Sequence, residues 1–423
     1  MKLIEKTRGI RLFIKKNMQK LLLFLAVLGP GLITAFADND AAGVATYSVS
    51  ASKFGYSILT ILIPITIVLA VTQEIGARLA VVTGKGLGDL IRERYCIGVS
   101  IFMFFLAFVV NLVVIVQNIS GVRAALTLFK INYQIFLPII FALLFIFIVR
   151  SSYKIVERFF LLLIFFYGTY FFSAILAKPD WGIAFKSLFI PQGNINFEYL
   201  FTSIAVLGTT VTLWGQFFIN SSIKDKKITS SKLIYVQTEV YIGAFLTDLF
   251  TLFMMVAVIA KLYKHGIVIH GAAEASLAIK PFAGEMASIL FGYGLLIAGI
   301  LGCLIVPLST AYAFAEFFGY EGSLDTDFKK SRLFYGLFLF QIILGLIIVF
   351  FPQISLFKIT LFANFINGLI LPVLFYFLYR FANDEELLRN QVNNSLQNIL
   401  LVGSGLLITL GGVAGVLGAF FKW

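Results

Sequence analysis

A chain of 423 residues that is 60% hydrophobic and only 13% charged cannot hide its apolar surface in one water-soluble core, because soluble domains carry roughly 25% charged residues. It needs lipid as the solvent for its outer face, which excludes a soluble enzyme or binding module and places the chain in the membrane class. The net charge of +12 would suggest nucleic acid in a soluble protein, but here the bases sit in short loops, where they report topology.

The first 20 residues form a basic tail, and an apolar stretch from Leu21 to Ala37 follows. No A-x-A cleavage pattern closes that stretch and further apolar segments come after it, so it reads as a first membrane helix and not as a removed leader. With about 20 apolar residues needed per span, eleven spans are predicted: 21–51, 55–82, 98–121, 134–150, 155–177, 199–222, 232–261, 285–316, 332–351, 355–380 and 397–421. All connections are short, so residues 21–423 read as one transmembrane domain. Counted over the tail and alternate loops, Lys and Arg divide 22 against 10, with Arg78 left inside span 2. This bias puts the N-terminus in the cytoplasm and Trp423 outside, in a multi-pass protein of the plasma membrane.

Two spans contain their own interruptions. Span 1 carries Gly29-Pro30-Gly31 and then Asp38-Asn39-Asp40-Ala41-Ala42-Gly43; span 6 carries Leu207-Gly208-Thr209-Thr210-Val211-Thr212-Leu213-Trp214-Gly215-Gln216. They open two five-span halves, about 21–177 and 199–380, with an extra helix at about 397–421. An odd number of spans per half gives the halves opposite topology. The predicted fold class is thus an all-α polytopic membrane protein of LeuT-like fold, two inverted five-helix repeats with helices 1 and 6 broken. Interrupted helices at matching positions point to a binding site near the midplane.

A carboxylate inside a span costs about 2.5–3.5 kcal/mol even on a lenient scale, so Asp38 and Asp40 need partners. Asp38 fits either helix capping or coordination, since an acid beside a break accepts bonds from free N–H groups. Asp40 is favoured as a cation ligand, working with carbonyl oxygens freed by the unwound segment. Facing them, Thr209, Thr210, Thr212 and Gln216 offer neutral oxygens, although threonines also bond back to their own helix. Span 10 adds Asn364 and Asn367, for which interhelical packing is the plainer alternative. No Cys, His or Met accompanies these groups, and an all-oxygen set suits Mg²⁺, Ca²⁺ or Mn²⁺ better than softer metals.

Other buried polar residues are less specific. Glu74 and Arg78, spaced i, i+4, read as an internal ion pair. Asp248 in span 7 could be protonated, paired or part of an ion path. Span 3 has Asn111, Gln117 and Asn118 but no acid, and His265 and His270 fall in one loop. Cys96 and Cys303 form no metal spacing, and no nucleophile–base arrangement suggests an enzyme.

At these residues the sequence resembles the Nramp family of divalent-metal transporters. The family's D-P-G-N motif falls on Asp40-Ala41-Ala42-Gly43, keeping the acid and replacing the Asn ligand by Gly43. The M-P-H motif falls on Thr212-Leu213-Trp214, the carbonyl ligand on Thr209, and the span 10 Gln on Asn364. The patterns at Asp38-Asn39-Asp40 and Thr209–Gln216, with Pro307–Ala313 and Asn367-Gly368, are similar to the Nramp-related magnesium transporters. The resemblance implies a metal-binding set of Asp38, Asn39, Asp40, Gly43, Thr209, Thr212, Gln216 and Asn364. It implies Mg²⁺ as cargo, with Mn²⁺ also carried, no cofactor, and transport without a proton because the span 6 His and the span 3 acid are absent. A proton-coupled Mn²⁺/Fe²⁺ carrier is the alternative. A Na⁺-coupled organic-solute symporter of the same fold is remote, since paired acids would repel a substrate carboxylate. The expected partners are a divalent metal ion and the bilayer, with no nucleic acid, for a monomer.

Overall fold

Lipid offers no hydrogen bonds, so a span must satisfy its backbone internally, and a helix does so. The computed structural model describes residues 23–24, 26–191, 196–270, 274, 280–281, 284–351 and 356–421, apart from the side chains of 356–363 and 414–421. Within them every regular element is helical. The basic tail lies outside the described residues, as does Trp423.

Ten helical stretches among the described residues are long and apolar enough to cross a membrane. The difference from eleven arises at the first break. Expected span 1 is divided into α1 (Pro30–Ala37) and α2 (Ala41–Phe54), and α2 continues through a 3₁₀ segment, Gly55–Ile61, into α3 (Leu62–Thr83). The stretch Ala41–Thr83 counts 43 residues, about 65 Å at 1.5 Å per residue, twice the roughly 30 Å hydrocarbon core. The chain turns at Gly55, whose φ of +58° favours glycine; a Cβ there would lie 2.3 Å from the Tyr263 ring.

The remaining elements are α4 (Leu87–Arg94), α5 (Ile97–Leu128), α6 (Tyr133–Arg150), α7 (Tyr153–Phe165), α8 (Gly168–Ala177) and α9 (Trp181–Phe189). After them come α10 (Phe197–Thr210), α11 (Leu213–Asp225), α12 (Leu233–Lys261), α13 (Glu285–Phe318), α14 (Arg332–Phe350), α15 (Leu356–Ala382), α16 (Glu385–Leu388) and α17 (Ser395–Phe421). Span 6 is thus broken between α10 and α11, as expected. Span 5, expected to be continuous, is interrupted by a turn at Phe166–Tyr167 between α7 and α8. The apolar window of span 6 is 89% buried and that of α6 only 17%, so the broken span lies at the centre and α6 faces lipid.

Small residues bring the helices close where the breaks lie, as expected where packing and not hydrophobic exclusion drives helix association. A Cβ on Gly208 would fall 2.1 Å from Asn364 O and 2.6 Å from Gly368 N, so α10 and α15 meet backbone to backbone. Gly302 of α13 sits against the Asn118 side chain of α5, where an added Cβ would come within 2.5 Å.

The expected ion pair is present: Arg78 Nε lies 3.0 Å from Glu74 Oε1, with the two side chains 3% and 0% exposed. It is the hub of a wider network. Gln237 Nε2 (2.8 Å) and Gln397 Nε2 (2.9 Å) donate to Glu74, and Arg78 donates to Asn393 Oδ1 (2.6 Å) and to Gln391 O. Arg78→Met should therefore destabilise the protein by about 3–5 kcal/mol, because it strands a buried carboxylate. Adding Glu74→Gln should recover part of that loss. Thermal unfolding of the purified variants in detergent measures both.

Candidate metal centre

The first break begins at Gly29, whose φ of +153° lies in the region that favours glycine. Pro30 follows at the first helical position, where its missing N–H costs nothing. The free amides of this end are taken by Glu239 of α12, whose Oε1 accepts from Gly29 N (2.5 Å) and Leu32 N (3.1 Å). α1 stops at Ala37, and Asp40 caps α2 by accepting from Gly43 N through Oδ1 (2.9 Å). Its second oxygen, Oδ2, accepts from Asn118 Nδ2 of α5 (2.7 Å). Asn118 Oδ1 in turn accepts from Ala41 N (2.9 Å). One amide thus grips both the carboxylate and the adjoining backbone.

At the second break Thr212 caps α11, its Oγ1 accepting from Gly215 N (2.9 Å). The same hydroxyl donates to Asp38 Oδ1 (2.7 Å), and Gln73 Nε2 of α3 donates to Asp38 Oδ2 (2.9 Å). Asp38 is therefore the acid that spans the gap between the two breaks, and Asp40 is the helix cap, although the sequence made Asp38 the more natural cap. Asn367 splints the second break. Its Nδ2 donates to Gly208 O (2.5 Å) and its Oδ1 accepts from Leu213 N (3.4 Å).

The other sequence candidates distribute around this core. A Cβ on Gly43 would meet Asp38 O at 3.0 Å, the Tyr47 ring at 3.3 Å and Thr209 Oγ1 at 3.6 Å, so Gly43 and Thr209 face each other across the gap. Thr210 is bonded back to Val206 O (2.8 Å) and to Tyr47 OH (2.5 Å). Asn39 turns to α12, donating to Thr247 O (2.8 Å) and Oγ1 (2.7 Å) and accepting from Thr251 (2.9 Å). Gln216 donates to Thr72 Oγ1 (3.2 Å). Asn364 donates to Thr46 Oγ1 (2.7 Å), one helical turn beyond Gly43. Asn39, Gln216 and Asn364 therefore hydrogen-bond to groups other than the two carboxylates.

Sequence reasoning passed over Gln73, Thr72, Tyr47, Thr247 and Thr251. The signal available was that Gln73 is an uncharged polar residue in an otherwise apolar stretch, masked by its ion-paired neighbour Glu74.

The electrostatics of the gap are simple. Asp38 and Asp40 are 1% and 3% exposed, and the hydrogen bonds they accept come from neutral groups: an amide N–H, two carboxamides and a hydroxyl. Among the described residues no Lys, Arg or His forms an ion pair with either. Buried carboxylates without a cation are costly, and the arrangement suits a cation brought from outside. Among the described residues no three His, Cys, Asp or Glu side chains gather. The two acids, with the Thr212 hydroxyl and the backbone carbonyls at the breaks, are oxygen groups of the kind that could hold a hard cation.

Residues 31–418 match the family profile described as "Natural resistance-associated macrophage protein-like". The "Divalent metal cation transporter MntH" of Bacillus subtilis is 25% identical over 316 residues, 70% of this chain and 72% of its own length. The "Divalent metal cation transporter MntH 1" of Pseudomonas aeruginosa is 23% identical over 393 residues, 89% of this chain and 87% of its own. In fold, the crystal structure of an Eremococcus coleocola manganese transporter superposes with a TM-score of 0.72 at 17% identity, covering 94% of this chain and 88% of that one.

Proposed function

This chain belongs to the Nramp family of membrane transporters and is not an enzyme, and from that premise we propose that it carries Mg²⁺ through the plasma membrane by alternating access, without moving a proton. The coarser statement, transport of a divalent metal cation, agrees with the names of its relatives. One observation carries the reading: two buried carboxylates at the first helix break, which faces the second through Thr212, are held by neutral donors alone. A dication in that gap would supply the missing positive charge.

The preference for Mg²⁺ rests on the donors. Thr212 stands where the family resemblance expects a thioether, Trp214 where it expects an imidazole, and Gly43 where it expects a carboxamide ligand. Oxygen donors without sulfur favour hard cations, and Mg²⁺ retains several waters, so it needs few protein ligands. The absence of proton coupling rests on Asn118. The resemblance expects a span 3 acid at Asn118 or its neighbour Gln117; neither amide can release a proton, and Asn118 is committed to Asp40 and Ala41 N.

Without a coupled proton, an inside-negative membrane potential drives uptake of the cation by about 2.3 kcal/mol per elementary charge per 100 mV. Mn²⁺ is the second reading, favoured by the manganese transporter that shares this fold. Purified protein in liposomes with an inside-negative potential decides the matter. Mg²⁺ uptake exceeding Mn²⁺ uptake, unchanged by an imposed pH gradient and without internal acidification, is the expected result. Mn²⁺ uptake with no Mg²⁺ uptake would overturn the Mg²⁺ assignment, and metal-dependent acidification would overturn the uncoupled one.

A further inference from the structure

We propose that Asp248, in the middle of α12, is a proton-binding site that holds its proton as a neutral carboxylic acid beside the cargo gap. The residue is 5% exposed. Its Oδ2 contacts Thr66 Oγ1 of α3 at 2.5 Å, and its Oδ1 is buried with no hydrogen-bond partner. The other buried carboxylates are all better supplied. Glu74 has Arg78, Asp89 has Arg92 and Lys224, and Glu157 has Lys226. Glu239 accepts two backbone amides, Glu316 a hydroxyl and an amide, and Asp225 two hydroxyls and an amide. Asp38 and Asp40 each accept two bonds. Asp248 has one contact and, among the described residues, no ion-pair partner.

The hydrogen count at that contact points to the acid form. Thr66 Oγ1 also lies 2.8 Å from Leu62 O, a carbonyl that can only accept. A hydroxyl has one proton to give and two lone pairs. If Asp248 were an anion, that single proton would have to serve both the carboxylate and the carbonyl. If Asp248 carries a proton, it donates to Thr66 Oγ1, and Thr66 donates to Leu62 O. Two contacts then use two protons, and the idle Oδ1 is the carbonyl oxygen of a neutral acid, far cheaper to leave bare than an anionic oxygen.

The surroundings favour the same form. Asp38 at the end of α1 and Tyr47 of α2 are titratable groups that would feel a charge on Asp248. An anion here would add a like charge beside Asp38 with nothing to offset it. Kept neutral, Asp248 limits the charge of the gap to the two carboxylates at the break, which matches a dication. That last step rests on the carrier reading; the protonation itself does not.

The test is infrared difference spectroscopy of the full chain in liposomes at neutral pH, wild type against Asp248→Asn. The expected result is a buried carboxylic-acid C=O band present in the wild type and lost in the variant. Loss of a carboxylate band instead would overturn the proposal. Thr66→Val keeps the acid but removes its acceptor, so it should shift that band to the position of a free acid; an unmoved band would also sink the idea. Because Asn copies the neutral acid in shape, Asp248→Asn should carry Mg²⁺ within about twofold of the wild type, with an unchanged pH profile. Abolished uptake in this folded variant would mean that the negative charge is needed. Should the wild type carry no Mg²⁺ at all, the carrier reading fails while the infrared result still stands.

Discussion

Asp40→Asn should reduce metal uptake to the level of protein-free liposomes while leaving a folded, membrane-inserted protein. The separation of the two effects follows from the double duty of this side chain. As the cap of α2, Asp40 accepts from Gly43 N, and Asn caps a helix about as well as Asp, whereas Ala costs about 1 kcal/mol. The structural duty therefore survives the substitution. The electrostatic duty does not, because half of the carboxylate charge in the gap disappears.

The second oxygen makes the loss sharper. Oδ2 accepts from Asn118 Nδ2, and an Asn in its place presents an N–H₂ to an N–H₂ unless the Asn118 amide turns over. Turning Asn118 would in turn face its N–H₂ toward Ala41 N. The variant thus lacks the charge and has a misfit at the break. Expression and monodispersity close to wild type, a thermal stability lowered by no more than that one misfit, about 1–3 kcal/mol, and uptake at background are the expected results. Normal uptake would show that the cation is not held by this acid. A strongly destabilised protein would instead mark Asp40 as a structural residue alone.

The breaks themselves were legible in the sequence because Gly29-Pro30, the acids at 38 and 40, and the Gly and Thr run of span 6 interrupt long apolar stretches. The Glu74–Arg78 pair was legible from its spacing. What could not be read was orientation. The spans are apolar nearly all round, so the 3.6-residue period carries little information about which face looks inward. Inside an unwound segment that period is lost altogether, and Asn39, flanked by two acids that face other partners, turns to α12. The holds on Asp38 by Gln73 and on Asp40 by Asn118 join residues 35 and 78 positions apart, and nothing local encodes them. The turn at Phe166–Tyr167 escaped notice because aromatic residues fit a helix and a turn alike. The continuation of α2 into α3 escaped notice because only Gly55 marks the bend.

Thr212→Met should move the preference from Mg²⁺ toward Mn²⁺, by about tenfold in the uptake ratio, equivalent to about 1.4 kcal/mol. Thr212 Oγ1 does two things, accepting from Gly215 N and donating to Asp38 Oδ1. Methionine does neither. It removes the cap of α11, at a cost of about 0.5–2 kcal/mol, and releases one oxygen of Asp38. It also brings a thioether to the gap, which softer cations accept and Mg²⁺ does not. Absolute Mg²⁺ uptake should therefore fall while Mn²⁺ uptake is kept or rises. Pairing the change with Gly43→Asn would add a carboxamide donor, but the built Cβ at Gly43 lies 3.0 Å from Asp38 O and 3.3 Å from the Tyr47 ring. The double variant must push that wall back, so the single substitution is the cleaner experiment. Thr212→Ser, which keeps the hydroxyl and both of its bonds, should leave the ratio where it is. A folded Thr212→Met protein with the wild-type ratio would remove Thr212 from the set of groups that choose the cargo, and leave that choice to Asp38, Asp40 and the backbone carbonyls of the two breaks.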